Sequence, residues 1–388
     1  MGSWQTDHSA AFMLVKSPCF TGMHKDEMMD QNEPDIAQEQ GMMTPFFPDR
    51  RACLRWLVQI PVIVGLYGPT MALAKPGNKP GNKPGAATLL ERHPWMQPWI
   101  EQDGMTLVQL QNLLGAMEPD PRVMALMDHQ TEAKPYFEYR ALLLNQRRIQ
   151  DGRRMMKKHH AVLARVAEFY QVPAEFVVAL WGIESDFGQD KGHFNVLRTL
   201  FTLSAHYSRR IDFFRNELRE FLLLCKEEQW DPRLIKGSYA GAFGQVQMMP
   251  STFRRIAVDF NLDGKRDVVH DVTDSLASIA AFLRAYGWCV DAPLIVALSW
   301  QPGLAEWFAA YQKINKPWRE WRALGMSWPP DTKEPDLDAS LALIILEERQ
   351  GPRYYMTFKN FRVITQWNRS NRFAKVVQEF ALDLRRLE

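Results

Sequence analysis

Trp181-Gly-Ile-Glu-Ser-Asp-Phe-Gly188 ends a stretch, residues 176–183, that carries no charge. Val177, Leu180, Trp181 and Glu184 recur at helical spacing, Pro173 suits a first turn, and Gly188 stands where a helix would stop. The pattern predicts an apolar helix with a lone carboxylate, Glu184, at its C-terminal end. Lost hydration and the negative end of the helix dipole both favour an uncharged carboxyl in such a place, which suits a proton donor. The plain alternative is a helix-terminal glutamate paired with an arginine such as Arg198.

A second stretch, Gly237-Ser-Tyr-Ala-Gly-Ala-Phe-Gly-Gln-Val-Gln-Met-Met-Pro-Ser-Thr-Phe253, is a glycine-rich turn closed by Pro250. Its glycines have no following Gly-Lys-Ser/Thr, so they do not make a phosphate loop; they permit close backbone approach to substrate or tight packing. Ser238, Gln245 and Gln247 supply neutral hydrogen-bonding groups. An acid in an apolar place, faced by such groups, suits acid–base cleavage of a sugar chain. Most glycosidases use two carboxylates at a defined separation. Asp186 is the nearest second candidate, but at i, i+2 on a helix it points away from Glu184. Asp190 and Glu217 remain as candidates that the fold could bring near.

Around these stretches the chain reads as mainly α. Thr106 is an N-cap for a helix bearing Leu107, Leu110, Leu113 and Leu114, and Glu118-Pro-Asp-Pro121 breaks it. Helices are expected over 136–148, which contains Tyr139, and over 156–170, 196–230, 274–286 and 373–387. Near the C-terminus, 341–346, 354–358 and 361–365 are short, β-prone and separated by turn residues, which predicts a small antiparallel sheet. The 388 residues are 46% hydrophobic with a net charge of +2, so nothing in the composition calls for a nucleic-acid partner. Thirteen Trp and ten Tyr suit a carbohydrate cleft, although any single ring is more often core.

The N-terminus reads as processing signal rather than fold. Arg50-Arg51-Ala-Cys-Leu-Arg55, an eleven-residue apolar run (56–66) and Met71-Ala-Leu-Ala74 have the basic, apolar and small-residue order of a signal peptide. Residues 42–74 are therefore expected to direct export to a periplasm, and 1–41 read as an upstream over-extension; the alternative is an uncleaved anchor. Residues 75–90 contain a Lys-Pro-Gly-Asn repeat, a solvated linker, and 91–388 form the catalytic region. Of the cysteines, Cys225 and Cys289 would remain after processing, one potential bridge and no disulfide framework.

From about residue 95 onward the chain resembles the lytic murein transglycosylase B family. Residues 181–188 resemble its Gly-x-Glu-(Thr/Ser)-x-(Trp/Phe/Tyr)-Gly motif, and 238–251 resemble its second motif almost position by position. Asp259-x-Asn-x-Asp-Gly264 and Tyr286-Gly-Trp288 match in order and spacing. The resemblance implies a lysozyme-like helical core with a helical N-terminal lobe. It also implies cleavage, without water or a required cofactor, of the β-1,4 bond between N-acetylmuramic acid and N-acetylglucosamine in peptidoglycan. Glu184 would protonate the leaving oxygen, the substrate's own N-acetyl oxygen could stabilise the anomeric carbon, and Glu184 would then deprotonate the muramoyl 6-hydroxyl, giving a 1,6-anhydro end.

The family's roles map onto Ser238, which orients the acid or the acetamido group, and onto Gln247, Tyr139 and Asn368 at the substrate. Trp367, Phe373 and Phe282 depart from the pattern, standing where the family often has Tyr, so stacking is kept and hydroxyl hydrogen bonds are lost. The glycan strand is the implied partner; cell-wall synthesis proteins are candidate partners that no residue identifies. The rival readings are a hydrolase on the same core and a non-catalytic wall-binding scaffold.

Asp259, Asn261, Asp263, Gly264 and Asp267 have calcium-loop spacing at positions 1, 3, 5, 6 and 9. Position 12, which should be a bidentate carboxylate, is His270, with Asp271 one step beyond. Two readings stand open for 259–271: a calcium site, and a relic loop held by its own hydrogen bonds. His159-His160 reads as solvated surface.

Overall fold

The buried helix Ala174–Ser185 organises the molecule. Every side chain from Glu175 to Ser185 is buried, because the segment is apolar on all faces and neighbours surround it. Gln146–Lys158, His160–Tyr170, Val272–Ala285 and the C-terminal helix Asn371–Arg385 pack against it. The computed structural model describes residues 88–128, 134–312 and 314–386. The expected over-extension, the signal peptide and the linker up to residue 87 lie outside the described residues. Thr88 already caps a helix, Leu89–Arg92, through a capping box with Glu91. Among the described residues no helix is long and apolar enough to cross a membrane.

An N-terminal lobe of short helices precedes the core. Thr106 caps Leu107–Leu114 as its sequence predicts, with Gln109 completing the box. The helix expected over 136–148 is two helices, Tyr136–Leu143 and Gln146–Lys158, because Asn145 accepts the Arg148 N–H and starts a new cap. Val196–His206 and Ile211–Glu227 form an antiparallel pair below the glycine-rich turn.

The sheet is antiparallel, in the order Ile295–Ala297, Gly351–Thr357, Ser340–Glu348, Lys316–Pro317. It separates two cores, and strand alternation decides which residue joins which. Ile344 pairs with Tyr355 and both join the main core; Leu343 pairs with Met356 and both join a second, tryptophan-rich cluster with Trp318 and Trp321. The expected third strand, 361–365, is instead inside a helix, Lys359–Trp367. Phe361 and Ile364 are buried one turn apart, and Asn360 is buried with its side chain on the Cys289 N–H (2.8 Å) and carbonyl (2.7 Å), so it anchors a helix start rather than a hairpin turn. Cys225 and Cys289 are both buried and neither is in a disulfide.

Candidate active site

The Glu184 helix ends in three successive left-handed residues, Asp186, Phe187 and Gly188. Two of them carry side chains, so local contacts must hold the turn. Ser185 supplies one: its hydroxyl donates to the Gln245 carbonyl and accepts the Gly188 N–H at 2.8 Å. Asp186 supplies another through ion pairs with Arg147 (2.7 Å) and Arg148 (3.4 Å). Glu184 is thereby presented at the junction of the helix and the glycine-rich turn, 6% exposed.

Main-chain hydrogen bonds close the glycine-rich turn, and neutral side chains add to them. Phe243 and Met248 exchange hydrogen bonds, the Ser238 N–H donates to Ala242 O at 2.7 Å, and the Gln245 N–H donates to Val268 O at 2.8 Å. Gly192 lets the chain after the Glu184 helix run directly over Gly237; a Cβ at Gly192 would sit 2.2 Å from the Gly237 carbonyl. That approach lets Phe194–Asn195 pair with Lys236–Gly237 and joins the two motifs.

The expected site residues fall into three groups. Ser238, Gln245 and Gln247 are buried in the turn beside the helix end. The Ser238 hydroxyl accepts the Ala242 N–H at 3.1 Å, and the Gln247 amide donates to Lys191 O (3.0 Å) and Gly244 O (2.9 Å). These bonds build the turn. Tyr139 lies buried on Tyr136–Leu143, which packs on the C-terminal helix. Trp367 and Asn368 end the helix Lys359–Trp367, and both are half-buried.

Trp367 makes the contact that composition and spacing did not reveal. Its indole N–H donates to Glu184 Oε1 at 2.8 Å. Phe282 packs edge-on against that indole, centroids 4.6 Å apart, and stacks on Tyr286 at 4.4 Å. Phe282 is buried behind Trp367 and props the indole. Phe373 has no exposed surface and belongs to the core under the C-terminal helix, which corrects its expected place at the substrate. A first-turn residue of an amphipathic helix whose ring faces inward cannot also line a groove.

The other carboxylates near these motifs have structural partners. Asp186 is held by the two arginines, Asp190 accepts the Gly192 N–H at 3.1 Å, and Glu217 accepts the Ser251 N–H (2.9 Å) and hydroxyl (2.6 Å) at the start of Pro250–Ile256. Arg198, the cation expected in the plain alternative, donates to the carbonyls of Glu118 and Pro119.

In the 259–271 loop the side chains bind the loop's own amides. Asp259 accepts from Leu262 (2.7 Å) and Gly264 (2.8 Å), Asn261 from Asp263 (2.9 Å), and Asp263 from Lys265 (3.0 Å). Asp267 holds the Val269 and His270 N–H groups, and Asp271 caps the next helix at Asp274. Buried Asp274 gathers the Phe260 and Asp267 amides on its two oxygens. Among the described residues no three His, Cys, Asp or Glu groups are assembled for a metal.

The model of the transglycosylase SLT domain matches residues 92–382. The chain belongs to the SLT transglycosylase family. It is 32% identical over 289 residues to membrane-bound lytic murein transglycosylase B of Escherichia coli, covering 72% of this chain and 78% of that protein. The solved structure of E. coli lytic transglycosylase Slt35 in complex with calcium aligns at a TM-score of 0.68, 29% identity, 76% of this chain and 92% of its own. SltB3 of Pseudomonas aeruginosa in complex with NAG-anhNAM-pentapeptide aligns at 0.65, 31% identity, 75% of this chain and 78% of its own. The lysozyme-like, mainly helical fold and the resemblance to transglycosylase B are thus established, and the protein is a peptidoglycan lytic transglycosylase, a lyase.

Proposed function

We propose that this SLT transglycosylase cleaves the β-1,4 bond between N-acetylmuramic acid and N-acetylglucosamine with Glu184 as its one acid and base. Glu184 gives its proton to the bridging oxygen as the C1–O bond breaks. The resulting carboxylate takes the proton of the muramoyl 6-hydroxyl as that oxygen bonds to C1. The product is a 1,6-anhydro end, no water is consumed, and the enzyme returns to its starting protonation. The observation that carries this reading is the buried Glu184 at the helix end, while Asp186, Asp190 and Glu217 are each committed to structural partners. A relative of the same fold crystallised with an anhydro-muramoyl fragment supports the product assignment.

The test is digestion of isolated sacculi followed by mass analysis: the anhydro product is one water lighter than that of a hydrolase, and reducing muramoyl ends alone would replace this reading with hydrolysis. Glu184→Gln is expected to lower turnover by roughly 10³-fold or more while sacculus binding survives. Unchanged turnover would remove Glu184 from its role.

Ser238, Gln245, Gln247, Tyr139 and Asn368 complete the proposed substrate surface. Export to the periplasm belongs to the same reading and rests on the signal-like order of residues 42–74. For the 259–271 loop, Asp259, Asn261 and Asp263 have the oxygen chemistry to hold calcium, which would brace the loop and take no part in cleavage. The spacing and the calcium complex of Slt35 support that role, whereas His270 at position 12 and the engaged Asp267 weigh against it.

A further inference from the structure

The contact between Trp367 and Glu184 carries an inference that deepens the single-glutamate reading and rests on it. A carboxyl group has two oxygens, and an acid–base catalyst works only when the proton sits on the one facing the substrate. Many residues that border a carboxylate can both give and take a hydrogen bond, a tyrosine or serine hydroxyl among them. Such neighbours tolerate the proton on either oxygen. An indole N–H is a donor only. With the Trp367 N–H directed at Oε1 from 2.8 Å, a proton on Oε1 facing it would set two hydrogens against each other.

We infer that Trp367 is a positioning residue that reserves Oε2 of Glu184 for proton transfer. In the neutral acid the carbonyl-type oxygen is the stronger acceptor, so the indole N–H on Oε1 favours the proton on Oε2, which gives it to the leaving oxygen and receives the one from the 6-hydroxyl. The mount of the indole supports this. Phe282 lies against its face-to-edge contact at 4.6 Å, Tyr286 backs Phe282 at 4.4 Å, and the Tyr286 hydroxyl is held by Arg255 at 2.7 Å. The chain of contacts limits swing of the ring, so the N–H keeps its direction while a substrate enters. Trp367 and Phe282 thereby share one purpose: one supplies a donor that cannot accept, the other holds it.

Two variants test this, each as the full-length protein on soluble glycan strands. Trp367→Phe keeps a ring and removes the N–H; site-specific replacement of Trp367 by benzothienylalanine keeps the bicyclic shape and puts sulfur in place of the N–H. Both are expected to lower kcat roughly tenfold or more, with KM within about twofold of the parent. The benzothienyl variant separates this from packing, because it leaves the ring contacts in place. A parental kcat in that variant would overturn the inference, as would a loss confined to KM. The two levels fail separately: an active Glu184→Gln enzyme sinks the single-glutamate reading, whereas an inactive Glu184→Gln enzyme beside a parental benzothienyl variant sinks only the role of Trp367.

Discussion

The glycine-rich turn and the 259–271 loop are two irregular segments held by different forces. The turn is buried, and main-chain hydrogen bonds close it; glycine at 192 and 237 lets two backbones touch. The loop is largely exposed, and carboxylates tie it down. Arg266 fastens it to the end of Ile211–Glu227 through Glu228 (2.5 Å) and Glu227 (3.1 Å), and Arg254 meets the same Glu227 at 2.6 Å. A packed, neutral segment keeps its geometry across pH and salt, while a charge-held one follows both. The turn beside Glu184 belongs to the first kind, which suits a wall that must place a proton donor.

The largest effect should come from breaking the packed side. Gly192→Ala puts a methyl group into the Gly237 backbone at a left-handed position and is expected to cost about 3 kcal/mol, read by thermal or denaturant unfolding, with activity falling as the turn leaves the helix end. A variant as stable and active as the parent would show that the two strands are not closely coupled. Ser185→Ala comes next. It strands the Gly188 N–H and the Gln245 carbonyl without enlarging the core, at about 2 kcal/mol, and kcat should drop more than KM rises because Glu184 loses its anchor.

The charge-held side should respond to acid. The Arg254 hydrogen bond, with Arg266 beside it, holds the Glu227 carboxyl below the usual carboxylate range despite partial burial. A lowered folded-state value means the contact stabilises above the unfolded value and is lost as pH falls through the folded one. Amide protection in 259–271, relative to the intrinsic exchange rate at each pH, should therefore fall as pH drops through and below the carboxylate range, with little change in 237–249; Glu227→Gln should remove most of that difference. The smallest expected effect is that of calcium. If the loop takes the ion, millimolar calcium raises the melting temperature by a few degrees and a chelator reverses it, and Asp259→Asn abolishes the shift. No shift in the parent would leave the loop as a self-bonded relic.

How much of this was readable depended on distance along the chain. Glu184 at an apolar helix end, the Thr106 cap and the glycine-rich turn all rest on neighbours within a few residues, where periodicity and capping chemistry speak directly. The β-prone residues of 361–365 also satisfy a helical face, and burial of Phe361 and Ile364 one turn apart, with Asn360 seated on Cys289, makes the segment a helix. Phe373 stands near the expected substrate motif in the sequence, yet its ring has no exposed surface, because the inward face of the C-terminal helix is set by packing that the local sequence does not show.

The amino-acid order by itself determined that an uncharged helix would carry one acid to its end, that a glycine-rich turn would follow, and that the family was that of the lytic transglycosylases. Tertiary structure alone decided which carboxylates were spent on arginines and helix caps, and that the indole of Trp367, 183 residues further along, would meet Glu184 Oε1. Local interactions are encoded by spacing, whereas a contact of that range exists only once the C-terminal helices have packed around the buried one.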